Sequence, residues 1–423
     1  TAYEITYGDW SSDVCSSDLG TSSTVSNGGV TVGNTASGFN QMVVTNATLL
    51  VGGGVTIGSS SSNNLVSLLN GGVWNGVFSA VNVGSAALAT GNVLQVNGGI
   101  LTNVSILVVN PSNTVALNRG TINVGSVLYS NAQTAFVVGD GVNAARLTLF
   151  SNAVSRFVSG LVVTNNATVT GIGTNVGGLT VKSGGIYSPG LSPGAQVWDN
   201  VTWETNGNFL FEINNFVGTP GVNWDLLTVT NTLTITANSG NKFNILLDSL
   251  GANAANWNSS LDYSVLFTSF TNISGFSASA FNVNASAFSN APGSSWAVSQ
   301  LGNGLYLTYA AFSTAPDFVW SNLTTGIWSD AGNWTNGSAP SAGSDTLHLQ
   351  FGTNTLTQFT ATNTTINTLN QIILNSGALS PVTNFIVGNS LIVSGANAAI
   401  IQQNAGAFVI SNSLTLEIGR AHV

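Results

Sequence analysis

The stretches SNGGVTV (residues 26–32), VGGGVTI (51–57), LNGGVWNGV (69–77), VNGGILTNV (96–104) and VKSGGIY (181–187) decide how this chain folds. Each joins a polar residue or valine to a glycine pair and then to a β-branched run. The pairs begin at Gly28, Gly52, Gly71, Gly98 and Gly184, and the first four are 24, 19 and 27 residues apart. A period that wanders in this way fits stacked repeats with loops of variable length. Between the pairs lie short runs such as MVVTNATLLV, VLQVNGG, SILVVN, LVVTNNATVTG and LTVKSGG, which carry strand signals. Helix formers are few, and Gly and Asn are frequent.

These signals predict an all-β chain folded as a right-handed parallel β-helix, a β-solenoid. Short strands of one coil stack on the next at about 4.8 Å, so inward Val, Ile and Leu build a continuous core while Thr, Ser and Asn face out. The glycine pairs are expected at bends that need positive φ, with asparagine tolerated beside them. Asparagines on successive coils are expected to stack their amides in ladders. At about 20 to 25 residues per coil the chain makes about sixteen to twenty coils. The rival fold, an antiparallel sandwich, wants more regular hairpin signals.

Both ends of the chain read differently from the middle. The last seven residues, EIGRAHV (417–423), can be written in codons whose reverse complement translates as DVCSSDL, the string at 13–19. That nucleotide string resembles a common sequencing-library adapter, whose extension also gives DWSS and TAYEI as found near the start. Residues 1–19 and 417–423 are therefore expected to be adapter read-through and are set aside from fold reasoning. The flanks hold the only cysteine, Cys15, five of the fifteen acidic residues and one of the six basic ones, which leaves a net charge of minus five. Without a cysteine the core has no disulfide, and without a basic patch it has no footprint for nucleic acid. Hydrophobic residues never run to eighteen in succession, so no membrane-spanning helix is expected.

Sharper motifs stand between residues 171 and 309: SPG at 188–190 and again at 192–194, FEI at 211–213 and WDLLTVT at 224–230, with VVGDGVNAARLTLF (137–150) and SGLVVTNNATVTGIGT (159–174) upstream. In these strings the chain resembles the autotransporter-associated β-strand repeat proteins, passenger-like modules of large bacterial surface proteins. The resemblance implies a β-helix displayed outside a bacterium, with the FEI glutamate and the WDLL aspartate in structural positions, and it names no chemistry. The expected organisation is a β-helix repeat region at 20–194, its continuation at 195–312 and a second module at 313–416 that opens with DFVWSNLTTGIWSDAGNWTNG.

Candidate chemistry is thin. His348 in TLHLQF alternates with Leu347 and Leu349 and is expected to point outward. Residues 20–139 contain no acidic residue, and the best carboxylate cluster is Asp199, Glu204, Glu212 and Asp225, with Glu204 and Glu212 placed on adjacent coils. Polysaccharide-cleaving β-helices need several carboxylates for acid, base or calcium work, so this cluster is the one place an enzyme could reside. GIGTNVGG (171–178) has the wrong spacing for a phosphate loop, and GDG (139–141) lacks the repeated aspartates of a calcium roll. The tryptophans offer a binding reading: Trp198, Trp203 and Trp224, or the trio Trp320, Trp328 and Trp334, stack on sugar rings if they share an exposed face, and anchor a core if they do not. The expectation is a non-catalytic extracellular structural or adhesive segment without cofactor or metal, its partners extracellular glycan or other cell-surface components. The alternative is a carbohydrate-binding or polysaccharide-cleaving β-helix.

Overall fold

The computed structural model describes residues 23–34, 38–259, 261–290, 296–310, 316–352, 358–375, 382–395, 398–402 and 406–417. The expected adapter flanks lie outside them, apart from Glu417, and so does the expected boundary at 312/313. The chain divides at about Tyr309 into two compact units. Among the described residues there is no α-helix, only strands and two short 3-10 turns at Ala278–Ala280 and Ala331–Asn333.

The first unit is one hydrogen-bonded sheet of 23 strands. From Ser23 to Ala287 its strands pair in parallel with strands one repeat further along the chain, which brings equivalent residues into columns. In one column Val25 lies opposite Leu49, followed by Trp74, Leu101, Ile122, Leu147, Val169, Tyr187, Phe209, Ile245 and Val283. Successive members are 18 to 27 residues apart as far as Phe209, then 36 and 38. A second column runs Val44, Leu68, Val96, Leu117, Val138, Val163, Val181, Trp203 and Ile235. A third opens Val32, Ile57, Val83, Val109, Tyr129 and Phe157. Nearly all of these side chains are buried, and the residues between them face out, as a period of two demands.

The lengthening of the step to 36 and 38 corrects the expected repeat. Extra residues enter at corners, such as 214–223, and leave the strands in register, so the described residues hold fewer repeats than a uniform 20 to 25 would give. The glycine pairs also have a second cause. Gly71, Gly98 and Gly184 do adopt positive φ, but Gly28 and Gly52 lie outside that region. The second glycine of a pair is needed for proximity: a Cβ on Gly72 would sit 2.2 Å from the carbonyl oxygen of Val44 in the preceding repeat.

Stacked amides form as expected. The Asn40 side chain donates to Asn64 Oδ1 (2.7 Å), Asn64 to Asn92 Oδ1 (2.6 Å) and Asn92 to Asn113 Oδ1 (2.9 Å). Each acceptor oxygen also takes the backbone N–H of the preceding asparagine at 2.9 to 3.0 Å. Asn64, Asn92 and Asn113 are fully buried. Beside this spine the core of the early repeats is aliphatic, and further along it becomes aromatic: Tyr129, Phe136, Phe157 and Trp198 follow one another at centroid distances of 5.3, 5.9 and 5.7 Å, and Trp203 stacks on Phe243 at 4.7 Å.

The second unit repeats the scheme with short strands. Phe318–Val319, His348–Phe351, Gln371–Leu374 and Ala399–Gln402 pair in parallel in that order. Two further parallel sets run from Thr325–Ile327 to Ala407–Ile410 and from Thr368–Leu369 to Leu414–Glu417. Its core is built on Trp320, Trp328, Trp334, Leu349, Phe351 and Ile372.

Candidate functional site

The SPG, FEI and WDLL motifs, which begin at Ser188, Phe211 and Trp224, meet at one corner of the first unit. The turn 188–194 links strand Ile186–Pro189 to strand Ala195–Trp203. Its first glycine is held by a reciprocal pair of backbone bonds with Gly171, 3.1 and 2.6 Å, and by the Thr170 hydroxyl donating to Gly190 O at 2.9 Å. Gly190 has φ +97, and a Cβ there would lie 2.4 Å from Gly194 Cα, so both SPG glycines are required for the turn to close on itself. Leu191 and Ser192 form the exposed tip.

Phe211 and Ile213 of FEI point into the core, fully buried. Alternation would send Glu212 outward into water, yet it is only 7% exposed. Its Oε1 accepts the Ser192 hydroxyl at 2.9 Å, so the 188–194 turn lies over it. Asp225 of WDLL is fully buried and bridges three segments. Oδ1 accepts the Gly194 N–H (2.8 Å), Oδ2 accepts the Glu212 N–H (3.0 Å), and its own N–H donates to Glu212 O (3.0 Å). The corner excursion 214–223 is thereby pinned at its base, where Ile213 and Trp224 also bridge.

Burial pushes the Glu212 carboxyl up, the Ser192 bond opposing it, with Asp248 adding to the rise. Asp248 is the in-register neighbour of Glu212 in the next repeat. Burial likewise lifts Asp225 well above the ordinary carboxyl range, against the pull of its two backbone donors. What the arrangement does chemically is hold a turn and a loop base with two carboxyl groups whose oxygens are engaged by N–H and O–H donors.

The other predicted residues fall elsewhere. Asp199 accepts the Gly177 N–H (3.0 Å) and the Thr230 hydroxyl (3.2 Å). Glu204 follows the strand that ends at Trp203 and precedes strand Asn208–Glu212, so its expected place one repeat from Glu212 is taken by Asp248. Asp140 of GDG closes a turn on the N–H groups of Val142 and Asn143 and on the Asn143 amide, which lowers its pKa to about 2. GIGTNVGG leads into strand Gly173–Val181, with no helix to face a phosphate. Among the described residues no group of three or more His, Cys, Asp or Glu is placed to hold a metal ion.

His348 does stand on the outward side of its strand, but largely covered, its side chain 16% exposed: Nε2 lies 3.0 Å from Asn370 Oδ1, and Nδ1 lies 3.9 Å from Asp317 Oδ2. The tryptophan trio takes the core-anchoring one of its two expected places. Trp320, Trp328 and Trp334 are at most 2% exposed and pack on one another and on Phe351, so no ring face is open to a sugar. Trp198, Trp203 and Trp224 are likewise buried. Trp257, Tyr263 and Trp296 are only partly buried, with the Trp257 ring stacked on Tyr263 at 5.0 Å and on Trp296 at 5.4 Å. No sequence signal singled them out, since each lies in a different loop or strand.

Comparison with protein-family models, with curated proteins and with solved structures finds no match. No helix among the described residues is long and apolar enough to cross a membrane, which says nothing of crossing by strands.

Proposed function

We propose that the chain is a right-handed parallel β-helix that serves as a non-catalytic structural or adhesive segment of a large bacterial surface or secreted repeat protein, similar to autotransporter-associated repeat modules. Its work is extension and display. Eleven members of the Val25 to Val283 column, stacked at about 4.8 Å, give the first unit a ladder about 48 Å tall. The corners carry the variation, since loops lengthen there while the ladder stays in register.

The observation that carries the reading is the fate of the carboxylates. Of the four carboxylates in the expected cluster, Glu212 accepts the Ser192 hydroxyl and Asp225 accepts the backbone N–H groups of Gly194 and Glu212, so both tie chain segments together. Incubation with a panel of polysaccharides tests this: release of reducing ends or unsaturated sugars is expected to stay at the blank. Turnover that disappears in Glu212→Gln would sink the non-enzyme reading.

Carbohydrate binding is a second reading, supported by the partly buried stack of Trp257, Tyr263 and Trp296 in place of the buried trio. A glycan array probed with the native chain and with Trp257→Ala separates the two: retained folding with lost glycan signal supports binding, and no glycan signal from the native chain refutes it.

A further inference from the structure

We propose that Ser192 is a nucleophilic serine that takes one acyl group from a carboxylic ester, with Glu212 as the base that receives its proton. The reaction is a single acylation and not turnover, so it goes beyond the structural reading of the chain and does not rest on it. Gly190, Leu191, Ser192, Pro193 and Gly194 have the G-x-S-x-G spacing of a nucleophile elbow, a sharp turn that lifts a serine hydroxyl clear of the backbone. In hydrolases that elbow leads from a strand into a helix. Here it leads from strand Ile186–Pro189 into strand Ala195–Trp203, so the likeness is confined to the turn. Close approach requires the second glycine as it does the first, since a Cβ on Gly194 would lie 2.6 Å from Gly190 Cα. Ser192 itself stands at φ +77, in the left-handed region that a residue with a Cβ seldom occupies. Such backbone persists only where its surroundings hold it, and it gathers at reactive sites.

The serine has a base in place. Ser192 is exposed, and its hydroxyl donates to Oε1 of the buried Glu212 at 2.9 Å. The bond that covers Glu212 is therefore also a path for the proton, from a hydroxyl on the water side to a carboxylate shielded from water. Both partners sit on held backbone. The reciprocal Gly171–Gly190 bonds fix one end of the turn and Asp225 fixes the other at Gly194, while Asp225 Oδ2 accepts the Glu212 N–H at 3.0 Å. Burial also makes Glu212 a stronger base than a glutamate in open water.

The surface beside the hydroxyl suits a small apolar acyl group. Leu191 is half-exposed next to it, and Val222 is exposed on the excursion that meets the turn's far end, where a Cβ on Gly221 would lie 2.9 Å from the Ala195 Cβ. In the step, Ser192 Oγ bonds to the ester carbonyl carbon as its proton passes to Glu212. The bond from that carbon to the alcohol oxygen then breaks, and Glu212 gives the proton to the departing oxygen. The products are acyl-Ser192 and the free alcohol, with nothing oxidised or reduced.

The full chain incubated with p-nitrophenyl acetate at neutral pH tests this. It is expected to gain one acetyl group, which peptide mapping by mass spectrometry places on Ser192, and Ser192→Ala is expected to lose it. Glu212→Gln is expected to slow the addition by about a hundredfold or more, the usual worth of a general base. Because that variant also alters a bond of the turn, the native chain is compared with itself in urea, where Ser192 keeps its hydroxyl and loses Glu212. Acetylation of Ser192 there is expected to fall to the rate of the other serines. Acetyl groups spread over many serines, or lodged on Lys182 or Lys242 with Ser192 bare, overturn the proposal. So does acetylation of Ser192 as fast in urea as in water, or an unchanged rate in folded Glu212→Gln.

Discussion

Replacing Asn92 by alanine tests the amide spine at its centre. The Asn92 side chain accepts from the Asn64 N–H and the Asn64 amide, and donates to Ser61 O and Asn113 Oδ1. Truncation leaves two fully buried donors on Asn64, each costing about 1.5 kcal/mol, so about 3 kcal/mol is lost before any cavity is counted. That is about a hundredfold in the local opening equilibrium. Repeat arrays need not unfold in one step, so the assay is native-state hydrogen exchange at the Asn64 amide, supported by urea melts. Asn92→Leu keeps the volume and loses the bonds; it is expected to cost nearly as much, which assigns the effect to the hydrogen bonds. If Asn92→Ala costs no more than the outward Asn82→Ala, a surface change worth about 0.5 kcal/mol or less, the spine is not what holds these repeats in register.

Trp203→Ala removes a ring stacked on Phe243 and Phe267 and is expected to cost about 3 to 5 kcal/mol, seen by calorimetry as destabilisation of the later half of the first unit. Gly72→Ala forces a Cβ onto Val44 O and is expected to lower the urea midpoint, whereas Gly28→Ala meets nothing within 4 Å and is expected to leave it unchanged. Trp328→Ala is expected to destabilise the second unit by about 3 to 5 kcal/mol without any glycan phenotype separable from folding; near-ultraviolet circular dichroism with a glycan array checks both.

The repeat was legible because its signals are local. A glycine pair before a β-branched run, with Asn nearby, reports a corner and the strand after it whatever the length of the loop between. Asn64, Asn92 and Asn113 could be expected to stack for the same reason, each preceding a strand in its own repeat. The meeting of Ser192, Glu212 and Asp225 was not legible, because it depends on how far the chain travels before it returns. Glu204, expected on the coil adjacent to Glu212, is only eight residues away from it, whereas the neighbour in register, Asp248, stands 36 residues on. The tryptophan trio could be read either way: spacing does not say whether a ring faces water, and the structure resolves the matter by folding Trp334 back against Trp320 and Trp328.

The change from aliphatic to aromatic filling along the first unit decides what an optical probe can see. Between residues 23 and 128 the buried core is Val, Leu and Ile with Trp74 as its one large ring, whereas from Tyr129 onward it holds Tyr129, Phe136, Phe157, Tyr187, Trp198 and Trp203. Fluorescence and near-ultraviolet circular dichroism therefore report chiefly on the later repeats. Opening of the earlier ones leaves those signals almost unmoved and is read at the amides, by hydrogen exchange.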